Sequence, residues 1–466
     1  LHTHFFHQPK PFWTLAFGEL CSTFSYFGTQ TILVLYCLHT FGLTQSDSYL
    51  LYGAYIALTY ALPILGGIVA DRWLGDKTTA IIGCGLNIAG TLLLMLPQHY
   101  LFCLGLATSL VGSGLYKSSA THLIGTLYPN GDIKKETGFT LLYLAINLGG
   151  VLGPLVYGLV VYALGWNFGF LCSALGIFIS TIFLLKNSHL LEENKRILAK
   201  KSTQIFIYPC IISACLFLSL PFYTPTLTNL LVVIIFAISI AYLIAAAKKH
   251  HDQDRRRLAA LLLMSFFGMF YFAAGLQIGS TITLFIQSNI QQGTIDTQLP
   301  ASIFSTFYPL FVLLLAPVFT YGWRYLEKNG ISVSAPAKLA IGMLLAALGI
   351  SAFAFAAVTS FVMTGILAGN FLLGAGELAI APAIYTAISN LSPIGMKSTM
   401  MGCWFLAIAL GGYLSGVLAN TSHWLTHQVA FHQSEYVEQF VFIACFTFMI
   451  ALILTTAIPK LSKMMR

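Results

Sequence analysis

Apolar residues run in stretches of about twenty along the whole chain, separated by short polar segments. Each stretch is long enough to cross a bilayer as an α-helix. The pattern predicts fourteen helices, near 12–38, 47–70, 78–97, 101–126, 137–162, 166–186, 204–220, 227–247, 258–288, 300–322, 336–357, 361–391, 397–420 and 436–459. Prolines and glycines inside several of them are compatible with membrane helices, where neighbouring helices satisfy the freed backbone groups. The short alternating segments of a membrane barrel are not the pattern seen.

Composition agrees. Of 466 residues, 57% are hydrophobic and 8% are Asp, Glu, Lys or Arg, against about 25% charged in soluble domains. Mean hydropathy is +0.82. These values exclude a soluble enzyme, a secreted disulfide scaffold and a disordered protein. The nine cysteines lie mostly inside apolar stretches without CxxC spacing, and read as small buried apolar residues. The start of the chain shows no cleavable signal-peptide pattern.

The net charge of +8 does not point to nucleic acid, because the cations sit between the apolar runs. Lys10, Lys460, Lys463 and Arg466 lie at the ends, and alternate loops hold every other Lys and Arg except one. That bias predicts an even number of spans with both termini cytoplasmic, in a multi-pass protein of the bacterial inner membrane.

The chain also repeats itself. LAINLGG at 144–150 matches LAIALGG at 406–412, and the same offset carries GSG at 112–114 onto GAG at 374–376. FGTQTILVLY at 27–36 resembles IGSTITLFIQ at 278–287. The expected organisation is a six-helix bundle at 1–186, an inserted helix pair with its linkers at 187–257, and a second six-helix bundle at 258–466. Parallel halves of six are the arrangement of major facilitator transporters, which bind substrate near the bilayer midplane.

The exceptional cation is Lys117, deep in the helix near 101–126, and two acids share its situation: Glu19 in the helix near 12–38 and Glu377 in the helix near 361–391. At about 2.5–3.5 kcal/mol per central charge, the three cost on the order of 8–10 kcal/mol unless they pair, take up protons or face water. Their neighbours are polar as well. Glu19, Ser22, Thr23, Tyr26 and Gln30 fall on one face of the first helix, and Gln277, Ser280, Thr281 and Gln287 stripe the helix near 258–288. The helix near 47–70 adds Tyr52, Tyr55, Thr59 and Tyr60, the one near 137–162 adds Tyr143 and Asn147, and the one near 361–391 adds Asn370. Any one of these serves equally well as interhelical glue; together they predict a lined pathway.

These segments resemble a known family. FTLLYLAINLGG at 139–150, GSGLYKSSATHLIGTLY at 112–128, GELAIAPAIYTAISNLSP from 376, MMGCWFLAIALGG from 400 and YALPILGGIVADRWLG at 60–75 are similar to the proton-coupled oligopeptide transporters, a branch of the major facilitator superfamily. The inserted helix pair is usual in its bacterial members. The resemblance implies that Lys117 engages a peptide's carboxylate and Glu377 its amino group, with Tyr26, Gln30, Tyr60, Asn147, Gln277 and Trp404 completing the pocket. It also implies Asp71 and Arg72 as latches of the cytoplasmic gate. The helix 1 motif ExxER reads here as Glu19, Leu20, Cys21, Ser22, Thr23. A further family Arg is Gln30, and the acid before Gln277 is Leu276. Two arginines and two acids have become neutral, which favours an amine-bearing solute over a dianion.

Other signals are weaker. His2, His4, His7, His423, His427 and His432 lack partner carboxylates or cysteines, so no metal site or cofactor is expected. His122, five residues after Lys117, reads as a satisfied interhelical histidine, and 248–257 as a basic linker beside lipid. No catalytic triad, phosphate loop or HExxH occurs. The expected function is secondary transport of di- or tripeptides or a related zwitterion by alternating access, driven by protons carried on Glu19 or Glu377, since a carboxyl in an apolar interior is cheapest when protonated. The alternatives are a family member moving a non-peptide metabolite without proton coupling, and a membrane receptor that binds without turnover.

Overall fold

The computed structural model describes residues 8–128, 133–191, 201–224, 227, 234, 252–393, 397–428 and 435–465. These residues form helices and connecting turns, with no strand among them. In chain order the helices are α1 (Lys10–Phe41), α2 (Gln45–Val69), α3 (Asp76–Leu94), α4 (His99–Thr126), α5 (Ile133–Leu164), α6 (Trp166–Asn187), α7 (Lys201–Tyr223), α8 (Asp252–Gly275), α9 (Thr281–Gln291), α10 (Phe307–Lys328), α11 (Ala335–Val358), α12 (Val362–Leu391), α13 (Lys397–Gln428) and α14 (Glu435–Met465). The helix expected near 227–247 lies, apart from residues 227 and 234, outside the described residues.

Eleven of the described spans are long and apolar enough to cross a membrane by length and composition. α1 and α4 are not among them. They are the two that carry Glu19 and Lys117.

The chain divides into two compact units: Leu1–Leu43 with Leu58–Thr228, and Thr44–Ala57 with Asn229–Arg466. The first half of α2 therefore groups with unit 2 and its second half with unit 1. Inside unit 1, α3 packs along α4 and α1 along α5, while α7 lies against α4. Inside unit 2, α11 packs along α12 and α8 along α13.

The sequence repeat has a packing explanation in each unit. In unit 1 a Cβ at Gly149 of α5 would come within 2.6 Å of the Leu20 carbonyl of α1. In unit 2 the repeat-equivalent Gly411 of α13 would meet the Met269 carbonyl of α8 at 2.6 Å. Likewise a Cβ at Gly83 of α3 would lie 2.7 Å from the Gly112 carbonyl of α4, and one at Gly342 of α11 would lie 2.7 Å from the Gly376 carbonyl of α12. Small residues let helix backbones approach where no hydrophobic force operates between helices in lipid.

One expected element differs. The span read as continuous over 258–288 breaks between α8 and α9, through a tight turn at Leu276–Gly279 and a non-helical Ser280 (φ −125°, ψ −103°). A broken helix in an apolar interior must re-satisfy its carbonyls, and side chains of unit 2 do so. Tyr52 donates to the Leu276 carbonyl at 2.7 Å, and Thr283 donates to that of Ile278 at 2.6 Å. The Gln277 amide donates to the carbonyls of Ala273 (3.1 Å) and Ser415 (2.9 Å), while its Oε1 accepts from Ser280 (3.2 Å) and Thr281 (3.0 Å). Gly279 stands where a Cβ would lie 2.6 Å from the Tyr52 hydroxyl. The polar stripe of Gln277, Ser280 and Thr281 is largely spent in holding this break.

Candidate substrate and proton site

Unit 1 assembles its charged cluster through close helix approaches. Gly18 of α1 leaves room for the Tyr116 ring of α4, whose hydroxyl donates back to the Leu15 carbonyl at 3.2 Å. This contact brings Glu19 within electrostatic reach of Lys117, the residue after Tyr116. Gly66 and Gly114 let α2 and α4 meet at backbone distance, a Cβ at Gly66 falling 2.5 Å from the Gly114 carbonyl. That approach sets Tyr60 beside Lys117, with Nζ 5.5 Å from the ring centroid. Tyr26 meets the Tyr60 ring edge-on at 6.2 Å. An aromatic face is a partner for an ammonium that leaves its N–H donors unspent.

Glu19 is 1% exposed, so it does not reach the interface, and its Oε1 has no hydrogen-bond partner among the described residues. Lys117 is half-buried. Gln30 is wholly buried on the same helix as Glu19. Asn147 is half-buried and donates to the Tyr143 carbonyl one turn away at 2.9 Å. Asp71 and Arg72 are exposed at the end of α2. The ion pair at that end of unit 1 joins two other residues, His122 Nδ1 and Asp76 Oδ2, at 2.8 Å.

Unit 2 holds Glu377 differently. Gly374 lets α10 lie against α12, with the Tyr308 carbonyl 3.4 Å from where a Cβ would stand. The Tyr308 hydroxyl then donates a hydrogen bond to the Glu377 carboxylate. Tyr271 flanks Tyr308 and donates to the Leu373 carbonyl at 2.7 Å. Tyr385 stands within electrostatic reach of Glu377. Trp404 is fully buried, packed edge-on against Phe272 at 5.6 Å and seated in the gap that Gly268 leaves. Gln277 is also fully buried, its amide engaged at the helix break.

Unit 1 places Lys117, and unit 2 places Glu377, just beyond a glycine-containing stretch of helix and beside an aromatic partner. The Gly-x-Gly patterns, Lys117, Glu377, Tyr26 and Tyr60 are all legible in the sequence. Tyr308, Tyr271 and Tyr385 are not, because a tyrosine in an apolar run carries no local mark; only the rule that a buried carboxylate needs a donor points toward one. Among the described residues no group of three or more His, Cys, Asp or Glu is placed to hold a metal. His2, His4, His7 and His432 lie outside those residues.

The chain matches the model of the POT family over residues 77–437. It is 28% identical to the peptide transporter YePEPT of Yersinia enterocolitica, over 89% of this chain and 88% of that protein. It is 25% identical to dipeptide and tripeptide permease B of Aliivibrio fischeri (98% and 95% covered), and 30% identical to the transporter YclF of Bacillus subtilis (89% and 88% covered). Among solved structures, a peptide transporter POT bound to sulfate superposes with a TM-score of 0.86 at 24% identity, covering 98% of this chain and 96% of that one. A POT family transporter bound to 5-aminolevulinic acid superposes with a TM-score of 0.84 at 24% identity (98% and 97% covered). At that identity the structures carry the fold, and the family match over most of the chain carries the rest. The chain belongs to the POT family and is a multi-pass membrane transporter of the major facilitator fold.

Proposed function

We propose that the protein carries di- or tripeptides, or a related small zwitterion, into the cell together with protons, by alternating access across the bacterial inner membrane with both termini cytoplasmic. Lys117 takes the solute's carboxylate and Glu377 its amino group. Tyr26, Gln30, Tyr60, Asn147, Gln277 and Trp404 shape the pocket, Glu19 and Glu377 carry the protons, and Asp71 and Arg72 serve the gate. The observation that carries this reading is the matched pair of arrangements: a cation seated over the Tyr60 ring, and a carboxylate that accepts a hydrogen bond from Tyr308. A zwitterion replaces, with its own charges, the partners that an apolar interior withholds. Relatives are named as peptide transporters and as dipeptide and tripeptide permeases.

Counterflow in proteoliposomes tests it. Exchange of a labelled dipeptide that is lost in Lys117→Ala supports transport, and binding without exchange turns the reading toward a receptor. A second reading has its own support. Glu19 is buried without the arginine that usually follows it in the family motif, and Thr23 stands there instead, 8% exposed. This loss of positive charge favours a small amino acid-like or amine-rich metabolite, and a family structure holds 5-aminolevulinic acid. Exchange of such a solute, with every dipeptide silent, selects that reading.

A further inference from the structure

At one end of unit 1 the first turns of α1 and the last turn of α6 enclose an open groove of about 380 Å³, lined by Lys10, Trp13, Thr14, Phe17, Phe183 and Asn187. Neither Glu19 nor Lys117 is in its lining. Phe17 and Phe183 meet edge-on at 5.7 Å to close one side. Trp13 is held edge-on at 5.3 Å by the fully buried Phe12. The Asn187 amide donates to Thr14 Oγ1 at 2.9 Å, tying the two helices across the floor. The three aromatic rings remain 43%, 38% and 49% exposed for Trp13, Phe17 and Phe183.

The one charged residue in the lining is Lys10, which is exposed, and no acid stands in the first turn of α1. Lys186 is exposed in the last turn of α6. The start of α1 itself offers few donors, because Pro11 has no N–H and that of Phe12 donates to the Pro9 carbonyl at 2.9 Å. A cation above three exposed rings, on helix ends where a membrane protein meets the headgroup layer, suits a ligand with an anionic head and an apolar body. A soluble anion would satisfy Lys10 and leave the rings bare; a zwitterionic lipid would cover the rings and bring its own cation against Lys10.

We infer that this groove binds one anionic phospholipid, its phosphate on Lys10 and its glycerol and upper acyl carbons against Trp13, Phe17 and Phe183. The test uses the full chain in neutral detergent, followed by thermal unfolding during titration with phosphatidylglycerol, phosphatidylcholine or inorganic phosphate. Phosphatidylglycerol raises the midpoint, phosphatidylcholine raises it less, and phosphate leaves it unchanged. Lys10→Gln weakens the phosphatidylglycerol response about fivefold in apparent affinity, the worth of one lysine at an anionic surface; Lys10→Arg retains it, and Lys463→Gln on α14 does not alter it. A second measurement is independent of the lysine: phosphatidylglycerol brominated on its acyl chains quenches the fluorescence of the native chain more than that of Trp13→Phe. Equal responses to the two lipids, a response to phosphate alone, an unaltered Lys10→Gln, or equal quenching of Trp13→Phe each overturns the assignment.

Discussion

Tyr308 and Glu377, 69 residues apart in sequence, are joined by a hydrogen bond from the phenol to the carboxylate. The bond fixes one oxygen of Glu377, so in the proposed reading the tyrosine acts on the solute through the acid. Tyr308→Phe keeps the ring and removes the donor. Bonds to charged groups contribute about 1.5–3 kcal/mol, so the variant loses about ten- to hundredfold in solute affinity. Binding to Tyr308→Phe and to Glu377→Gln, measured by calorimetry, checks this; adding the first change to the second has little further effect, because both remove one interaction.

The Tyr60 ring under Lys117 is the unit 1 counterpart. Removing a partly buried cation–π contact costs about 0.5–2 kcal/mol. Tyr60→Leu therefore weakens binding by about two- to thirtyfold, while Tyr60→Phe, which keeps the ring, binds nearly as the native chain does. Titration of the two variants side by side decides between ring and hydroxyl.

The helix break carries a stability prediction. Tyr52→Phe takes the donor from the Leu276 carbonyl and lowers stability by about 0.5–1.5 kcal/mol. Gly279→Ala drives a methyl against the Tyr52 ring and costs about 1–3 kcal/mol. Both appear as lower unfolding midpoints in detergent, with the helical circular dichroism of the folded state preserved.

Proton coupling has a definite sign. If protons enter with the solute, acidifying the outer compartment raises the initial rate of uptake. Glu19→Gln is fixed in the neutral form and loses most of this acceleration while retaining exchange at equal pH on both sides. Initial rates in proteoliposomes with and without an imposed pH difference measure it.

Element type is legible across the described residues because apolar runs of about twenty residues cross a bilayer as helices. The repeat was legible too, and its physical cause is the close helix approach at Gly149 and at Gly411. The break at Leu276–Gly279 was hidden: Gln277, Ser280 and Thr281 form a helical stripe in sequence whether they line a path or hold a bent backbone. Tyr308 was hidden for a different reason, since its partner is on another helix and no local spacing records it. Lys117 and Glu377 stood out because charge is rare in these helices, and rarity within an apolar run is a signal that one sequence can carry.

The central claim is that Lys117 reads the solute's carboxylate and Glu377 its amine. The direct measurement is the affinity of the native chain, Lys117→Gln and Glu377→Gln for a bound dipeptide, its C-terminal amide and its N-acetyl form. The account predicts that Lys117→Gln binds the free acid and the amide alike while still rejecting the acetylated amine, and that Glu377→Gln does the reverse. Equal loss of all three ligands in both variants contradicts it.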